Sequence, residues 1–144
     1  KSIDTLKIAR REFAFSSNKQ DFLTKTFGLA EKLKTDFQLW LDCMDGDKSA
    51  LNNMLSYNER DVVGLEQVYL KLRPYIKNHP NLGVLMDDSV CPTCGSKSIK
   101  ASNATYFTSS NEFPVYRCGG CQSPFIRSKT SFGANKTELR SVAR

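Results

Sequence analysis

Cys91, Cys94, Cys118 and Cys121 form two C-x2-C pairs separated by 23 residues, in the stretches CPTCGS and CGGCQS. Two intervening residues let both thiolates of a tight knuckle reach one ion at about 2.3 Å, the zinc–sulfur distance. Pro92, Gly95, Gly119 and Gly120 stand where such knuckles must turn and where backbone N–H groups point at sulfur. Four thiolates leave no open coordination position, so the spacing predicts a closed, structural zinc site. An iron–sulfur centre and a redox dithiol are the competing chemistries. A module of roughly 40 residues buries too little surface to fold by itself, whereas a structural zinc contributes about 10–16 kcal/mol. The fifth thiol, Cys43, lies among Trp40, Leu41 and Met44 and reads as a small buried hydrophobe.

Charge singles out the same region. The chain has 144 residues and a formal net charge of +6. Residues 1–88 hold thirteen Lys/Arg against thirteen Asp/Glu, and residues 89–144 hold eight against two. A basic module beside a neutral one points to a polyanionic partner, DNA or RNA, with a solvated basic tail as the alternative. Around the cysteines, Lys97, Lys100, Arg117, Arg127 and Lys129 alternate with Tyr106, Phe107, Phe113, Tyr116 and Phe125. Cations neutralise phosphates and exposed aromatic faces stack on unpaired bases. Tyr116 and Phe125, beside the second knuckle, read as the module's own small core. Tyr106, Phe107 and Phe113 read equally as core or as a stacking surface.

A third feature is a charge on an apolar stripe. In YNERDVVGLEQVYLKLRPY, helical spacing aligns Met54, Asp61, Leu65, Val68, Leu72 and Ile76, and Asp61 alone is polar. A carboxylate there costs several kcal/mol or shifts its pKa unless something pairs with it.

The elements that must position these residues fall into two modules. The first reads as helices throughout, with no alternating strand pattern. One helix starts at Asp4 or Thr5, with Leu6, Ala9 and Phe13 on one face. A second has Asn18 as cap and Gly28 as stop. A third has Thr35 or Asp36 as cap, Phe37 and Trp40 as an aromatic core set and Gly46 as the break. A fourth runs from Asp47 to about Lys77, with a candidate break near Ser56–Tyr57 and a kink or end at Pro74. The reading is α+β: residues 1–80 helical, 81–88 a linker, 89–130 a small β zinc ribbon and 131–144 a polar basic tail, mobile or a single short helix. Strands are expected near Ala104–Thr108, Val115–Arg117 and Phe125–Arg127. No run is long and apolar enough to span a membrane and no signal-peptide pattern opens the chain, so an intracellular, cytoplasmic location is expected. There, five cysteines argue for metal over disulfides. The first residue, Lys1, reads as a processed or trimmed start, or as the latter part of something longer.

Tyr57 precedes Asp61 by one turn, giving Y-x3-D, behind IDTLKIARREF and NKQDFLTKTFGL. With the cysteine module downstream, residues 2–127 resemble the C-terminal portion of 3′-5′ exonucleases of the ribonuclease H-like superfamily. The resemblance is to the tyrosine-containing branch with bacteriophage-type members, which implies a phage-infected bacterium as the setting. The family implies phosphodiester hydrolysis by two divalent metals, Mg2+ or Mn2+, held by four carboxylates. The resemblance would make Asp61 a metal ligand and Tyr57 the residue orienting the attacking water, with Gly64 leaving room for close packing. The structural alternatives for Asp61 are neutralisation by an arginine and capping of a helix break at Tyr57. The family's first two carboxylate motifs have no counterpart here: Asp45 and Asp47 read as a helix-breaking turn, and Asp4 as a cap. The chain by itself is therefore expected to be inactive, with a missing N-terminal exonuclease portion as a partner. A non-catalytic module binding nucleic acid, and a protein–protein adaptor, are the other readings.

Overall fold

An acidic side chain starts three of the four main helices by accepting from a backbone N–H that the first turn leaves open. Asp4 Oδ1 accepts from Lys7 N–H at 3.0 Å ahead of α1, Thr5–Glu12. Asp36 Oδ1 accepts from Leu39 N–H at 2.9 Å ahead of α3, Phe37–Met44. Asp47 Oδ1 accepts from Ala50 N–H at 2.7 Å ahead of α4, Lys48–Leu72. The exception is α2, Gln20–Thr26. Its N-cap is Lys19, with no side-chain cap bond, so Asn18 does not play the capping part its residue type suggests. The computed structural model describes residues 2–29, 35–86, 88–109, 111–127 and 139–142.

The long helix α4 runs 25 residues with no break at Ser56–Tyr57. It ends at Leu72, and Pro74 falls in a 3-10 turn, Arg73–Tyr75. The pyrrolidine ring cannot continue the helix, because it lacks an N–H and crowds the carbonyl one turn back. The chain divides into two compact units, Asp4–Lys71 and Leu72–Arg144 with Lys1–Ile3. That division falls inside the last turn of α4 rather than near residue 80.

In the helical unit, Ile8 and Ala9 of α1, Leu23 and Thr24 of α2, and Ala50 and Val68 of α4 are buried. Phe15 stacks on Phe13 at 5.0 Å and meets Phe27 edge-on at 5.8 Å. Helix α2 is pinned to α4 by one side chain: Gln20 Nε2 donates to the Asp61 carbonyl at 2.8 Å. The stripe containing Asp61 is dry only from Val68 onward, since Met54 and Asp61 are half-buried and Leu65 is 44% exposed. Asp61 therefore stands at the wet end of the stripe. The aromatic core expected on α3 is not formed. Phe37 is 75% and Trp40 54% exposed, and no residue of α3 is buried. The apolar face is present as the sequence suggests, but among the described residues no element covers it.

In the second unit the 3-10 turn is followed by α5, Leu82–Met86, in the segment whose composition suggests a linker. Asn81 Oδ1 accepts from Gly83 N–H at 3.0 Å and starts this turn. Leu82 N–H donates to the Pro92 carbonyl at 2.8 Å and ties it to the first knuckle. A four-stranded antiparallel sheet follows in the order β1 (Ile99–Phe107), β2 (Glu112–Cys118), β3 (Pro124–Arg127), β4 (Leu139–Ser141). The β1–β2 register shifts between Ala101 and Thr105 by two residues, which keeps each side chain on its original face. Part of the polar tail, read as mobile or helical, is strand β4. None of the described helices is long and apolar enough to cross a membrane.

Gly64 faces α2, and a Cβ there would lie 3.0 Å from Gln20 Nε2. Alanine in a helix interior gains about 1 kcal/mol over glycine, while losing the Gln20 hydrogen bond costs about 0.5–1.5 kcal/mol. Gly64→Ala is therefore expected to be close to neutral in the wild type and stabilising by about 1 kcal/mol in a Gln20→Ala background. Urea unfolding of the four chains of this cycle measures the difference.

Candidate metal centre

Two copies of one backbone turn build the cysteine site. In the first, Gly95 N–H donates to the Cys91 carbonyl at 2.9 Å and Cys91 N–H to the Ser96 carbonyl at 2.9 Å. In the second, Gln122 N–H donates to the Cys118 carbonyl at 3.0 Å and Cys118 N–H to the Ser123 carbonyl at 3.1 Å. The offsets are identical, so CPTCGS and CGGCQS fold as equivalent knuckles. Both place their fifth residue in the left-handed region, Gly95 at φ +73° and Gln122 at φ +64°. Gln122 is the only non-glycine residue with positive φ among the described residues.

The knuckles bring the four sulfurs within 4.8 Å of one another. Cys91 Sγ and Cys121 Sγ are 3.7 Å apart, and Cys94 Sγ and Cys118 Sγ 3.5 Å. Cys91, Cys118 and Cys121 are buried, and Phe125, Ile99 and Tyr116 pack around them. The quartet can hold a metal ion such as zinc. Burial pushes the Cys91 and Cys94 thiols up, against the pull of backbone N–H groups. At Cys118 burial also opposes ionisation, but the N–H groups of Cys121 and Gly120 and the neighbouring Cys94 and Cys91 thiols outweigh it, pulling it down to about 7. Gly120 N–H donates to Cys118 Sγ at 3.3 Å, and Cys121 Sγ is hydrogen-bonded to Ser123 Oγ at 3.1 Å. Sequence reasoning does not single out Ser123, although the repeated C-x2-C-x-S pattern contains the signal.

The two faces of the sheet each carry basic and aromatic residues. Lys97 is committed to Asp88 at 3.2 Å, which holds the Asp88 carboxyl below the usual range. Lys100 and Arg117 are directly opposite across β1 and β2, both exposed. Tyr106 and Phe113, also opposite, share that face and are half-buried, with buried Val115 between Phe113 and Arg117 along β2. The other face carries Arg127 over the Tyr116 ring at 5.2 Å, and Tyr116 stacked on buried Phe125 at 6.3 Å. Phe107, on that second face, is 60% exposed. Lys129 lies outside the described residues. In the helical unit Tyr57 and Asp61 are half-buried one turn apart on α4. Among the described residues, only the cysteines gather as three or more metal-capable side chains, so no carboxylate cluster forms around Asp61. Cys43 is half-buried beside exposed Trp40 and Met44, wetter than its composition suggests.

The equivalence of the knuckles has opposite consequences at its two fifth positions. A left-handed conformation costs a non-glycine residue about 1–2 kcal/mol. Gln122→Gly is expected to raise the stability of the metal-loaded chain by about 1 kcal/mol. Gly95→Ala is expected to lower it, since its Cβ would also meet Met86 Sδ at 3.2 Å. Thermal melting of both variants checks the signs. No family model, characterised protein or solved structure matches the chain.

Proposed function

We propose that this chain is a nucleic-acid-binding module: a four-cysteine zinc ribbon whose β1–β2 face holds the backbone of DNA or RNA. Zinc is the metal that best suits the donor set, because four thiolates select a soft or borderline ion. A tetrahedron with bonds of about 2.3 Å has edges of roughly 3.8 Å, and two of the sulfur pairs stand at 3.7 and 3.5 Å.

The observation that carries the nucleic-acid reading is the register of Lys100 against Arg117. Like charges directly opposite in a sheet destabilise it, so the pair serves folding badly and serves a bridging phosphate well. Only one acid, Glu112, occurs between residues 89 and 127, and it occupies the other face. Tyr106 and Phe113 supply rings on the same face, where bases stack.

A second reading rests on Tyr57 and Asp61. If the helical unit belongs to a ribonuclease H-like exonuclease, the ribbon is its nucleic-acid grip and Asp61 one of its carboxylates. Cleavage by two Mg2+ or Mn2+ ions needs further carboxylates, and none gathers with Asp61 among the described residues. The binding role stands under either reading.

Lys100→Glu separates function from folding. It creates an opposite-charge pair with Arg117 and is expected to stabilise the chain by about 0.2–1 kcal/mol. The same change is expected to weaken nucleic-acid binding and to reduce the log–log salt slope by about one for each phosphate no longer neutralised. Binding isotherms at several salt concentrations, with melting curves on the same samples, give both readouts. Undiminished binding by the stabilised variant would contradict the proposed face.

A further inference from the structure

The helical unit contains a cleft of about 520 Å³, between α1, the segment before α2, and α4. Its floor is apolar: Leu23 and Val68 are buried and Leu65 is half in solvent. Its rim carries Arg10 and Lys19, and no acidic residue lines it among the described residues.

The charges around the cleft are unevenly matched. On α1 and α2 the acids pair with other cations: Asp4 with Lys7 at 3.9 Å, Glu12 with Arg11, and Asp21 with Lys25 at 3.0 Å. Arg10 and Lys19 are left without an acidic partner among the described residues. Asn18 also lines the cleft, and its Oδ1 is buried with no hydrogen-bond partner. Buried polar atoms are ordinarily satisfied, and Asn18 adds an uncharged polar side chain to the lining that a ligand of this cleft would meet.

We infer that this cleft binds a nucleoside monophosphate. The three features call for three chemical groups on one molecule: an anion for Arg10 and Lys19, a flat apolar face for Leu23, Leu65 and Val68, and a polar edge for Asn18. A phosphorylated nucleoside carries all three, and its base edge offers donors as well as acceptors to the Asn18 amide. The volume lies within the range of small-molecule sites, about 300–1,000 Å³. The ligand is either a free nucleotide or the phosphorylated end of a strand. The site is independent of the ribbon, since every described lining residue belongs to the helical unit.

Titration calorimetry on the full metal-loaded chain tests this, using AMP, GMP, CMP and UMP, the parent nucleosides, inorganic phosphate, and a short oligonucleotide with a terminal phosphate. One nucleotide per chain is expected, weakened at least about tenfold by Arg10→Ala and by Lys19→Ala. Asn18→Leu is expected to change the ranking of the four bases while leaving the chain folded by circular dichroism. Competition between mononucleotide and oligonucleotide identifies the source of the ligand. Binding no tighter than that of inorganic phosphate, binding insensitive to Arg10→Ala and Lys19→Ala, or no saturation at about 1 mM would each overturn the inference.

Discussion

Four sulfur atoms within 4.8 Å of one another are the constraint on which the ribbon depends. Burial disfavours their ionised forms, most strongly at Cys91, yet metal binding requires thiolates. A bound cation would resolve that conflict and add to the small core formed by Val115, Phe125 and Ile126. Order then spreads outward by contact. Phe125 packs on the cysteines, Tyr116 stacks on Phe125, and Arg127 lies over Tyr116. The two knuckles also fix the ends of β1 and β2, where Ile99 is paired with Cys118, and the next register position places Lys100 against Arg117. In the proposed function, the metal positions the cations without touching the ligand.

The two units show different relations between charge and structure. In the helical unit, acids act locally as helix caps and ion-pair partners, leaving Arg10 and Lys19 at a cleft. In the sheet unit acids are scarce, and one of the cations, Lys97, is used internally against Asp88. The net charge of a region therefore overstates the charge it can offer a partner. On the proposed face the exposed cations are Lys100 and Arg117, and the Arg117 guanidinium also donates to the Gln122 carbonyl at 3.3 Å.

Local rules made much of this legible in the sequence. C-x2-C spacing identified the four sulfurs, acidic caps marked Asp4 and Asp36, and Pro74 marked the end of α4, because each depends on neighbours within a few residues. Three features depend on packing between distant segments and read differently from sequence. Phe37 and Trp40 have core-like spacing on α3, but periodicity reports only that a face is apolar, not that another element covers it. The linker-like composition of residues 81–88 conceals α5, whose first N–H is satisfied by Pro92 from the knuckle. Asp61 lies on an apolar stripe that is only partly dry, which spacing cannot reveal. The exonuclease resemblance spans residues 2–127, and the catalytic part proposed for Asp61 requires carboxylates that do not gather around it among the described residues.

The most direct measurement is an amide proton–nitrogen correlation spectrum of the full chain, recorded with zinc and again after removal of zinc by a strong chelator. Residues of the sheet unit, from Val90 to Arg127, are expected to lose their dispersed signals on chelation and recover them when zinc is restored. Residues of α1, α2 and α4 up to Lys71 are expected to keep theirs. Dispersed sheet signals that survive complete removal of the metal would contradict the account.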